Sequence, residues 1–280
     1  PRPLIRAMVR CLRPEPMKTI ADPCCGSGGF FLAAQSFLAD PTNYTLDREQ
    51  KEFLKKYMWP ALVEHKLDDI EIYIWDHNKE RAFEWANTII DEETDHMVAG
   101  IAFHWYSGDH FEALQMIKEK FPNKKLLLSE ACIEYSKFAA TDYLKNAQKY
   151  AHDIIGNFNN GMNTFLDWNI VLDEIGGPNH VGNFCDAPYL YDTKNKKLIE
   201  SNICGHLWHF SHFIEKGAVR IGFTKYTDRL DVTAFKKDNK IAVVMLNRTE
   251  EKIPAYLRLN GYCAEMEVEP NAIATAVIEE

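Results

Sequence analysis

The chain has 280 residues, of which 46% are apolar and 26% are charged, a composition typical of a soluble globular protein. Its formal net charge of −9 argues against nucleic-acid binding, because that function needs a concentrated basic face. No apolar run approaches the roughly 18–20 residues of a transmembrane helix. The seven cysteines form no CxxC pair and no Cys/His pattern with zinc-like spacing, so we predict no metal site and mostly reduced thiols.

The first 50 residues predict a short βα unit. Lys18–Asp22 is typical of a strand, residues 23–29 form a glycine-rich loop, and Phe30–Leu38 begins a helix. Glycines let a ligand approach the backbone, and helix-terminal N–H groups face it. The segment therefore predicts a cradle for a nucleotide-like ligand.

From about residue 70, short β-rich runs alternate with longer amphipathic runs. We predict strands at residues 71–75, 99–103, 125–132 and 162–168, and helices at 80–91, 111–120 and 142–158. Strand–helix alternation at this spacing indicates βα units around a parallel sheet, an α/β fold.

The octet Lys125–Cys132 is the most informative of these runs. Its three consecutive leucines predict a strand buried on both faces, and Glu130 follows where that strand ends. Chemistry in barrels of parallel strands sits at these carboxyl ends, although a solvated Glu in a βα loop is the alternative. The other strand ends are equally polar and aromatic, with Asp76-His77-Asn78, His104-Trp105-Tyr106 and Asp167-Trp168-Asn169. This pattern is typical of one rim of a sugar-binding barrel mouth.

After about residue 218 the pattern becomes antiparallel. Alternating segments at residues 229–235 and 241–247 flank a turn at 237–240, and further strands are predicted at 265–268 and 272–277. These hairpins predict a small β-domain.

The segment from about Tyr57 to the C-terminus resembles glycoside hydrolase family 30, the glucosylceramidase-like retaining β-glycosidases. The motifs that carry the resemblance are Ile74–Asn78, Phe103–Phe111, Ser129–Cys132, Asp167–Asn169, Gly176–Phe184 and Gly205–Ser211. The resemblance implies the C-terminal half of a (β/α)8 TIM barrel at residues 55–217, followed by an antiparallel β-sandwich part at 218–280. It implies a carbohydrate or glycolipid substrate and no cofactor. It assigns Glu130 as the catalytic nucleophile, and as substrate-lining residues Asp76, His104, Tyr106, Cys132, Trp168 and Asn179.

Residues 1–54 resemble a different family, the N6-adenine DNA methyltransferase subunit of type I restriction–modification systems. Pro1–Ile5, Thr19–Phe30 and Asp40–Tyr44 carry this resemblance. It implies a Rossmann-like βα unit that binds S-adenosylmethionine through Asp22, Gly26, Gly28 and Gly29. The family's Asn-Pro-Pro-Phe motif for the flipped adenine is absent from the sequence, so cofactor binding is the alternative function.

The two resemblances meet near residues 52–57, inside a helix predicted to start around Asp47. Natural domain boundaries usually fall in flexible linkers. The join therefore favours a chimera, produced by engineering, recombination or assembly error.

A retaining glycosidase also needs an acid/base carboxyl group about 5–5.5 Å from the nucleophile. The resembled family keeps this Glu in an Asn-Glu-Pro motif, which the sequence lacks, so we expect weak or absent turnover. Glu134, if its loop were helical, and Asp76 or Asp109 are the substitutes to consider. Trp168, Trp105 and Tyr106 are predicted to form a platform for a sugar ring.

Two further expectations concern assembly and compartment. Four βα units leave barrel edges exposed, which favours a homodimer, pairing with the N-terminal unit, or aggregation. No signal peptide is visible and residue 1 is Pro, so the compartment stays open, with the cytoplasm favoured.

Overall fold

A computed structural model describes Val9 and residues 46–134, 142–179 and 182–279. The strand, loop and helix predicted at residues 18–38 lie outside this part of the chain, as do Asp22, Gly26, Gly28 and Gly29. The described residues divide into two compact units, one made of 46–72 with 84–99 and the other of 73–83 with 100–279.

The first unit begins with one continuous helical segment. It comprises α1 (Leu46–Phe53), a π-helical turn (Leu54–Met58) and α2 (Trp59–Glu64). The helix predicted around Asp47 is therefore confirmed, and the join at residues 52–57 falls within it. Lys51 and Lys55 form ion pairs with Asp91 and Glu93 of the same unit.

A parallel sheet organises the second unit. Its four strands lie in the order β1 (Tyr73–Asn78), β2 (Gly100–His104), β3 (Lys125–Glu130) and β4 (Thr164–Phe165). Along the chain these strands alternate with the helices α3 (Ala82–Ile89), most of which belongs to the first unit, α4 (Phe111–Lys120) and α5 (Tyr143–Asn159). The predicted α/β alternation is confirmed, since neighbouring strands pair in parallel.

Two strands differ in detail from their predictions. In β3, Leu126 and Leu128 are fully buried but Leu127 is only half-buried, so the two faces are not equally covered. β4 is much shorter than residues 162–168, since only Thr164 and Phe165 pair with β3, and the Trp168 backbone N–H donates to Asp167 Oδ1 at 2.9 Å.

Helix α5 packs behind this sheet and carries a buried polar cluster. Asp142 caps its first turn by accepting the Lys145 backbone N–H at 3.0 Å. Farther along, Asp153 pairs with the fully buried Lys79, whose Nζ also donates to Asn157 Oδ1 at 3.1 Å. The cluster ties α5 to the segment that follows β1.

A second, three-stranded sheet was not predicted from the sequence. It contains β5 (Val171–Asp173), β6 (Tyr189–Asp192) and β7 (Lys197–Glu200), and helix α6 (Asn202–Phe213) follows it. A cavity of about 960 Å³ lies beside β4 and α6, with Phe165, Leu166 and Trp208 among its lining residues. The outer side of β4 therefore presents an apolar surface.

The C-terminal segment forms the expected antiparallel β-domain. Its strands are β8 (Val219–Arg220), β9 (Leu230–Lys237), β10 (Lys240–Asn247), β11 (Ile253–Leu259), β12 (Tyr262–Val268) and β13 (Ala272–Glu279). One sheet has the order β13-β10-β9-β8 and the other pairs β11 with β12. Side chains from both sheets, including Met245 and Val268, share one core. The β9–β10 hairpin is confirmed, whereas β11 was missed by the prediction.

The β-domain packs against α5. Asn159 Nδ2 donates to the Val232 carbonyl at 2.8 Å, and the Phe158 and Phe235 rings lie 5.0 Å apart. His152 Nδ1 lies 2.8 Å from Asp231 Oδ2. These contacts fix the β-domain to α5, the same helix that carries the buried Asp153.

Candidate active site

Two β-bulges shape the rim formed by the carboxyl ends of β1, β2 and β3. Asp76 is the extra residue between the pairs Trp75–Ala102 and His77–Phe103, and it has a φ of 54°. In β3, Ser129 is the extra residue between Leu128, which pairs with Phe103, and Glu130, which pairs with His104. Bulges re-aim side chains, and here Ser129 Oγ donates to Asp76 Oδ1 at 2.6 Å.

Glu130 is the last residue of β3 and lies at the centre of this rim. The Tyr106 hydroxyl donates to its Oε1 at 2.9 Å. On its other side, His104 Nε2 lies 4.0 Å from Glu130 Oε2 and 3.2 Å from Asp76 Oδ1. The predicted residues Asp76, His104 and Tyr106 are thus brought together around Glu130.

Tyr106 is held as a proton donor. Burial of its hydroxyl, with Cys132 and Glu130 beside it, raises the pKa of Tyr106 far above its ordinary value. Its backbone N–H also donates to Asn78 Oδ1 at 3.1 Å, which anchors the loop after β2 to the end of β1. The phenol therefore stays protonated at any physiological pH and points its O–H at the carboxylate.

Cys132 lies behind the tyrosine. It is only 8% exposed, and its Sγ lies 3.4 Å from the Tyr106 hydroxyl and 3.3 Å from Cys185 Sγ. Its thiol contacts the same Tyr106 hydroxyl that donates to Glu130.

Trp168 is the aromatic side chain that β4 brings to the rim. It is 56% exposed, and its backbone N–H also donates to the Ala131 carbonyl at 3.0 Å. Asp167 holds this turn, because it accepts the Tyr150 hydroxyl at 2.9 Å. Burial raises the pKa of Asp167 to about 7. The Trp168 backbone is therefore held in place while its side chain is exposed, an arrangement compatible with the predicted sugar platform.

Trp105 does not belong to that platform. Trp105 is 2% exposed and packs against Tyr150 with ring centroids 4.6 Å apart. The Lys149 ammonium lies 4.6 Å from the centroid of the Trp105 ring. The prediction that Trp105 lines the sugar site is wrong. Its polar neighbours in the sequence suggested a rim position, but it turns into the core.

The substitutes for an acid/base carboxyl are engaged elsewhere. Glu134 forms an isolated antiparallel bridge with Cys185, so its backbone is extended and the helical turn that would bring it back to Glu130 is not formed. Asp109 Oδ2 lies 3.1 Å from His152 Nε2. Asp76 is bound by Ser129 and His104, as described above.

Asn179 is exposed at the end of a described segment. Its Oδ1 accepts the Gly182 backbone N–H at 2.6 Å, so the amide oxygen stabilises its own loop. Its role toward a sugar hydroxyl stays a prediction.

Several residues of this site were not singled out from the sequence. They are Ser129, Tyr150 and Cys185, which contact Asp76, Asp167 and Cys132 respectively. Ser129 directly precedes Glu130, and that adjacency was the one available signal. The others are brought together by long-range packing.

The arrangement suits nucleophilic chemistry on a neutral polar ligand. A partly buried carboxylate accepts one hydroxyl hydrogen bond and has an imidazole nearby, and the Trp168 indole is exposed after the neighbouring strand β4. Within the residues that the structure describes, no group of three His, Cys, Asp or Glu side chains could hold a metal ion. Nor does any helix in those residues have the length and apolarity to cross a membrane.

Comparison with known proteins gives the same assignment for most of the chain. The glycosyl hydrolase family 30 TIM-barrel domain matches residues 34–214, and the family's β-sandwich domain matches residues 217–276. The first match begins inside the segment that resembles a methyltransferase.

Individual relatives agree with the family match. The lysosomal acid glucosylceramidase of Mus musculus is 33% identical over 215 residues, which are 73% of this chain and 41% of that protein. The crystal structure of SrfJ from Salmonella typhimurium superposes with a TM-score of 0.79 at 33% identity, covering 85% of this chain and 53% of that one. The chain thus spans about half the length of these relatives.

A shorter match supports the chimera prediction. The type I restriction enzyme StySPI methylase subunit of Salmonella potsdam is 34% identical over 64 residues, which are 22% of this chain and 12% of that protein. With the barrel and sandwich domains matched in order over residues 34–276, and with the observed parallel sheet and β-domain, the chain belongs to glycoside hydrolase family 30.

Proposed function

We propose that this chain carries the nucleophile half of a retaining β-glycoside hydrolase site, with Glu130 as the nucleophile. A Glu130 carboxylate oxygen attacks the anomeric carbon, and the bond to the leaving oxygen breaks with its electron pair. Water then hydrolyses the glycosyl–Glu130 ester. Glycosidases of this family need no cofactor for either step.

The observation that carries the proposal is the hydrogen bond from the Tyr106 hydroxyl to Glu130 Oε1, 2.9 Å long. A phenol that keeps its proton orients one carboxylate oxygen and leaves Oε2 for attack. Hydrogen bonds to a charged acceptor are stronger than neutral ones, so the contact fixes the carboxylate rotamer. His104 and Asp76 extend the polar rim toward the sugar hydroxyls.

The substrate is a β-glucoside, and glucosylceramide is the specific candidate. The exposed Trp168 ring supplies a flat apolar surface for one face of a pyranose, while the β1 and β2 ends supply hydrogen-bonding groups. The relative named a glucosylceramidase supports this substrate class.

The sequence contains no Asn-Glu-Pro, the Asp76 and Asp109 carboxyl groups have other side chains as partners, and the Glu134 backbone is extended rather than helical. We therefore propose that these 280 residues alone hydrolyse only glycosides whose leaving groups depart without protonation.

The experiment compares aryl β-glucosides of graded leaving-group pKa. We expect turnover of a dinitrophenyl glucoside, a steep decline in rate as the phenol becomes less acidic, and none with alkyl glucosides. Glu130→Gln should abolish the turnover, whereas the control Glu200→Gln, at an exposed position in β7, should retain it. Efficient cleavage of alkyl glucosides would contradict the incomplete site, and activity in Glu130→Gln would contradict the nucleophile.

The short methylase match favours a second candidate, binding of S-adenosylmethionine by the segment containing Asp22, Gly26, Gly28 and Gly29. Titration calorimetry with S-adenosylmethionine tests it directly. Saturable heat that is lost in Asp22→Ala would support this function, and no heat at millimolar cofactor would dismiss it.

A further inference from the structure

Two cysteine thiols lie in contact one layer behind the candidate nucleophile. Cys132 Sγ and Cys185 Sγ are 3.3 Å apart, although 53 residues separate them in the sequence. Cys132 is 8% exposed and Cys185 is 4% exposed, and both belong to a small apolar cluster with Leu172 and Ala187. Formation of a disulfide, with an S–S bond of about 2.05 Å, would need a closure of about 1.2 Å.

The backbone around both cysteines is already fixed in a facing arrangement. The Asp186 backbone N–H donates to the Ile133 carbonyl at 2.8 Å, and Glu134 pairs with Cys185 in an antiparallel bridge. The Cys185 backbone N–H donates to the Gly176 carbonyl at 3.0 Å. Because backbone hydrogen bonds already hold the two segments together, the remaining closure is within reach of side-chain movement.

The two thiols are chemically unequal. The hydrogen bond from Cys185 lowers the pKa of Cys132. The same neighbouring Cys132 sulfur raises the pKa of Cys185. Cys132 is therefore the thiol that ionises first, and Cys185 is placed beside it as a resolving thiol.

We propose that Cys132 and Cys185 form a peroxide-reactive dithiol that closes reversibly to a disulfide next to the candidate active site. The Cys132 thiolate attacks one oxygen of hydrogen peroxide, breaks the O–O bond and becomes a sulfenic acid, with hydroxide leaving. Cys185 then attacks that sulfur, forming the S–S bond and releasing water. Two thiols and one peroxide give one disulfide and two waters.

The small size of peroxide suits this site, because both thiols are nearly buried. Bulky alkylating reagents should react first with Cys263, which is exposed. Selectivity for a water-sized oxidant distinguishes the buried pair from ordinary surface thiols.

Closure has a consequence for Tyr106. In the dithiol state Cys132 Sγ lies 3.4 Å from the Tyr106 hydroxyl, and that hydroxyl donates to Glu130. In the disulfide state the sulfur is drawn toward Cys185 and carries no proton. The tyrosine loses one neighbour, and the position of its O–H relative to Glu130 changes.

The direct test is peptide mapping after brief peroxide treatment of the full chain. Trypsin places Cys132 in residues 126–137 and Cys185 in residues 150–194, each without another cysteine. We expect a cross-linked pair of these two peptides, lighter by two hydrogen atoms and split by dithiothreitol. The proposal is overturned if no cross-link forms while the peptide carrying Cys263 becomes oxidised.

Variants separate the attacking thiol from the resolving thiol. Cys185→Ala should abolish the cross-link and leave a sulfenic acid on Cys132 that dimedone traps. Cys263→Ser should leave the yield of cross-link unchanged. The assignment of Cys132 as the attacking thiol would be contradicted by the reverse labelling pattern. In that pattern dimedone labels Cys185 in Cys132→Ala and does not label Cys132 in Cys185→Ala.

A second readout uses hydrolysis of an activated aryl glucoside, and this readout rests on the proposed function. Peroxide should lower the rate about tenfold, through weakening of the hydrogen bond to Glu130, and dithiothreitol should restore it. If the cross-link forms in a protein that hydrolyses no glucoside even when reduced, the proposed function fails and the dithiol stands. An undiminished rate in fully cross-linked protein would refute the link to Tyr106.

Discussion

The buried ion pair between Lys79 and Asp153 allows a stability prediction with a magnitude. Lys79 is fully buried and Asp153 is 4% exposed. The Lys79 ammonium donates to Asp153 and to Asn157 Oδ1, and lies 4.6 Å from the centroid of the Phe111 ring. Replacement by methionine keeps the length and apolar character of the side chain, so Lys79→Met removes the charge without opening a large cavity.

The expected loss of unfolding free energy follows from the Asp153 carboxylate, which the substitution leaves without its cation. In Lys79→Met, Asp153 retains the Asn157 amide, which donates to its Oδ2 at 2.5 Å, but has no cation beside it. Breaking a buried ion pair on one side typically costs about 3–5 kcal/mol, because an uncompensated charge stays in a medium of low dielectric. Total stabilities are about 5–15 kcal/mol, so the variant should lose a large share of its free energy of unfolding.

The pH dependence identifies the mechanism. Burial raises the pKa of Asp153, while Lys79 opposes that rise. Without Lys79 the pKa rises further, and the folded protein then binds a proton more readily than the unfolded chain does. The loss of unfolding free energy caused by Lys79→Met should therefore shrink as the pH falls toward 3.8, the ordinary pKa of an aspartate. This loss should grow as the pH rises from 3.8 to the raised pKa of Asp153 in the folded variant.

Urea unfolding followed by circular dichroism measures these differences at pH values near neutrality and in the acidic range. Lys79→Met with Asp153→Asn should recover much of the loss, because the second change removes the stranded charge. Lys252→Met is the matched control, since its ion pairs with Glu267 and Glu269 are exposed and its midpoint should not move. A Lys79→Met midpoint equal to that of the parent chain, or a deficit independent of pH, would refute this reasoning.

Three further predictions concern the site, the domain contact and assembly. Tyr106→Phe should lower kcat/KM for an activated glucoside by about 10- to 100-fold, the value of a hydrogen bond to a charged group, and an unchanged rate would refute its role. The hydrogen bond to Asp231 raises the pKa of His152, so its charge should stabilise the fold fully below pH 6.5, and this stabilisation should be lost as the pH rises through the raised pKa. Thermal unfolding of His152→Gln should show a smaller pH dependence than the parent chain over that range, and equal slopes would contradict it. Light scattering should detect a homodimer that buries the apolar surface beside β4, whereas a monomer at all concentrations would exclude it.

The sequence predicted the parts of the fold that depend on local pattern. The three leucines of the octet and the flanking amphipathic helix at Phe111–Lys120 are both local signals, and both elements form as expected. Glu130 was identified because a carboxylate at a strand end is also a local feature. Tyr106 was placed among the lining residues by the family resemblance, but its hydrogen bond to Glu130 was not predicted.

Features that depend on register or long-range packing were not predictable in this way. The bulges at Asp76 and Ser129 arise from pairing between neighbouring strands, which no single run of sequence reveals. Trp105 resembles its neighbours in the sequence but turns into the core. The approach of Cys132 to Cys185 requires two segments 53 residues apart to pair.

The sheet formed by β5, β6 and β7 was missed for a related reason. Residues 171–200 are rich in turn-forming residues, so their short strands have little periodicity of their own. They become strands because they pair with one another, with Val171 opposite Tyr189 and Tyr189 opposite Glu200.

The most direct measurement is covalent trapping of the nucleophile. A 2-deoxy-2-fluoro-β-glucoside with a dinitrophenolate leaving group needs no acid catalyst, and its fluorine slows hydrolysis of the glycosyl–enzyme ester. The labelled chain would be digested and residues 126–137 fragmented, because this peptide contains both Glu130 and Glu134. We predict one fluoroglucosyl group on Glu130 and none in Glu130→Gln. A label on Glu134 or another carboxylate, or no label in folded protein, would contradict the assignment of Glu130.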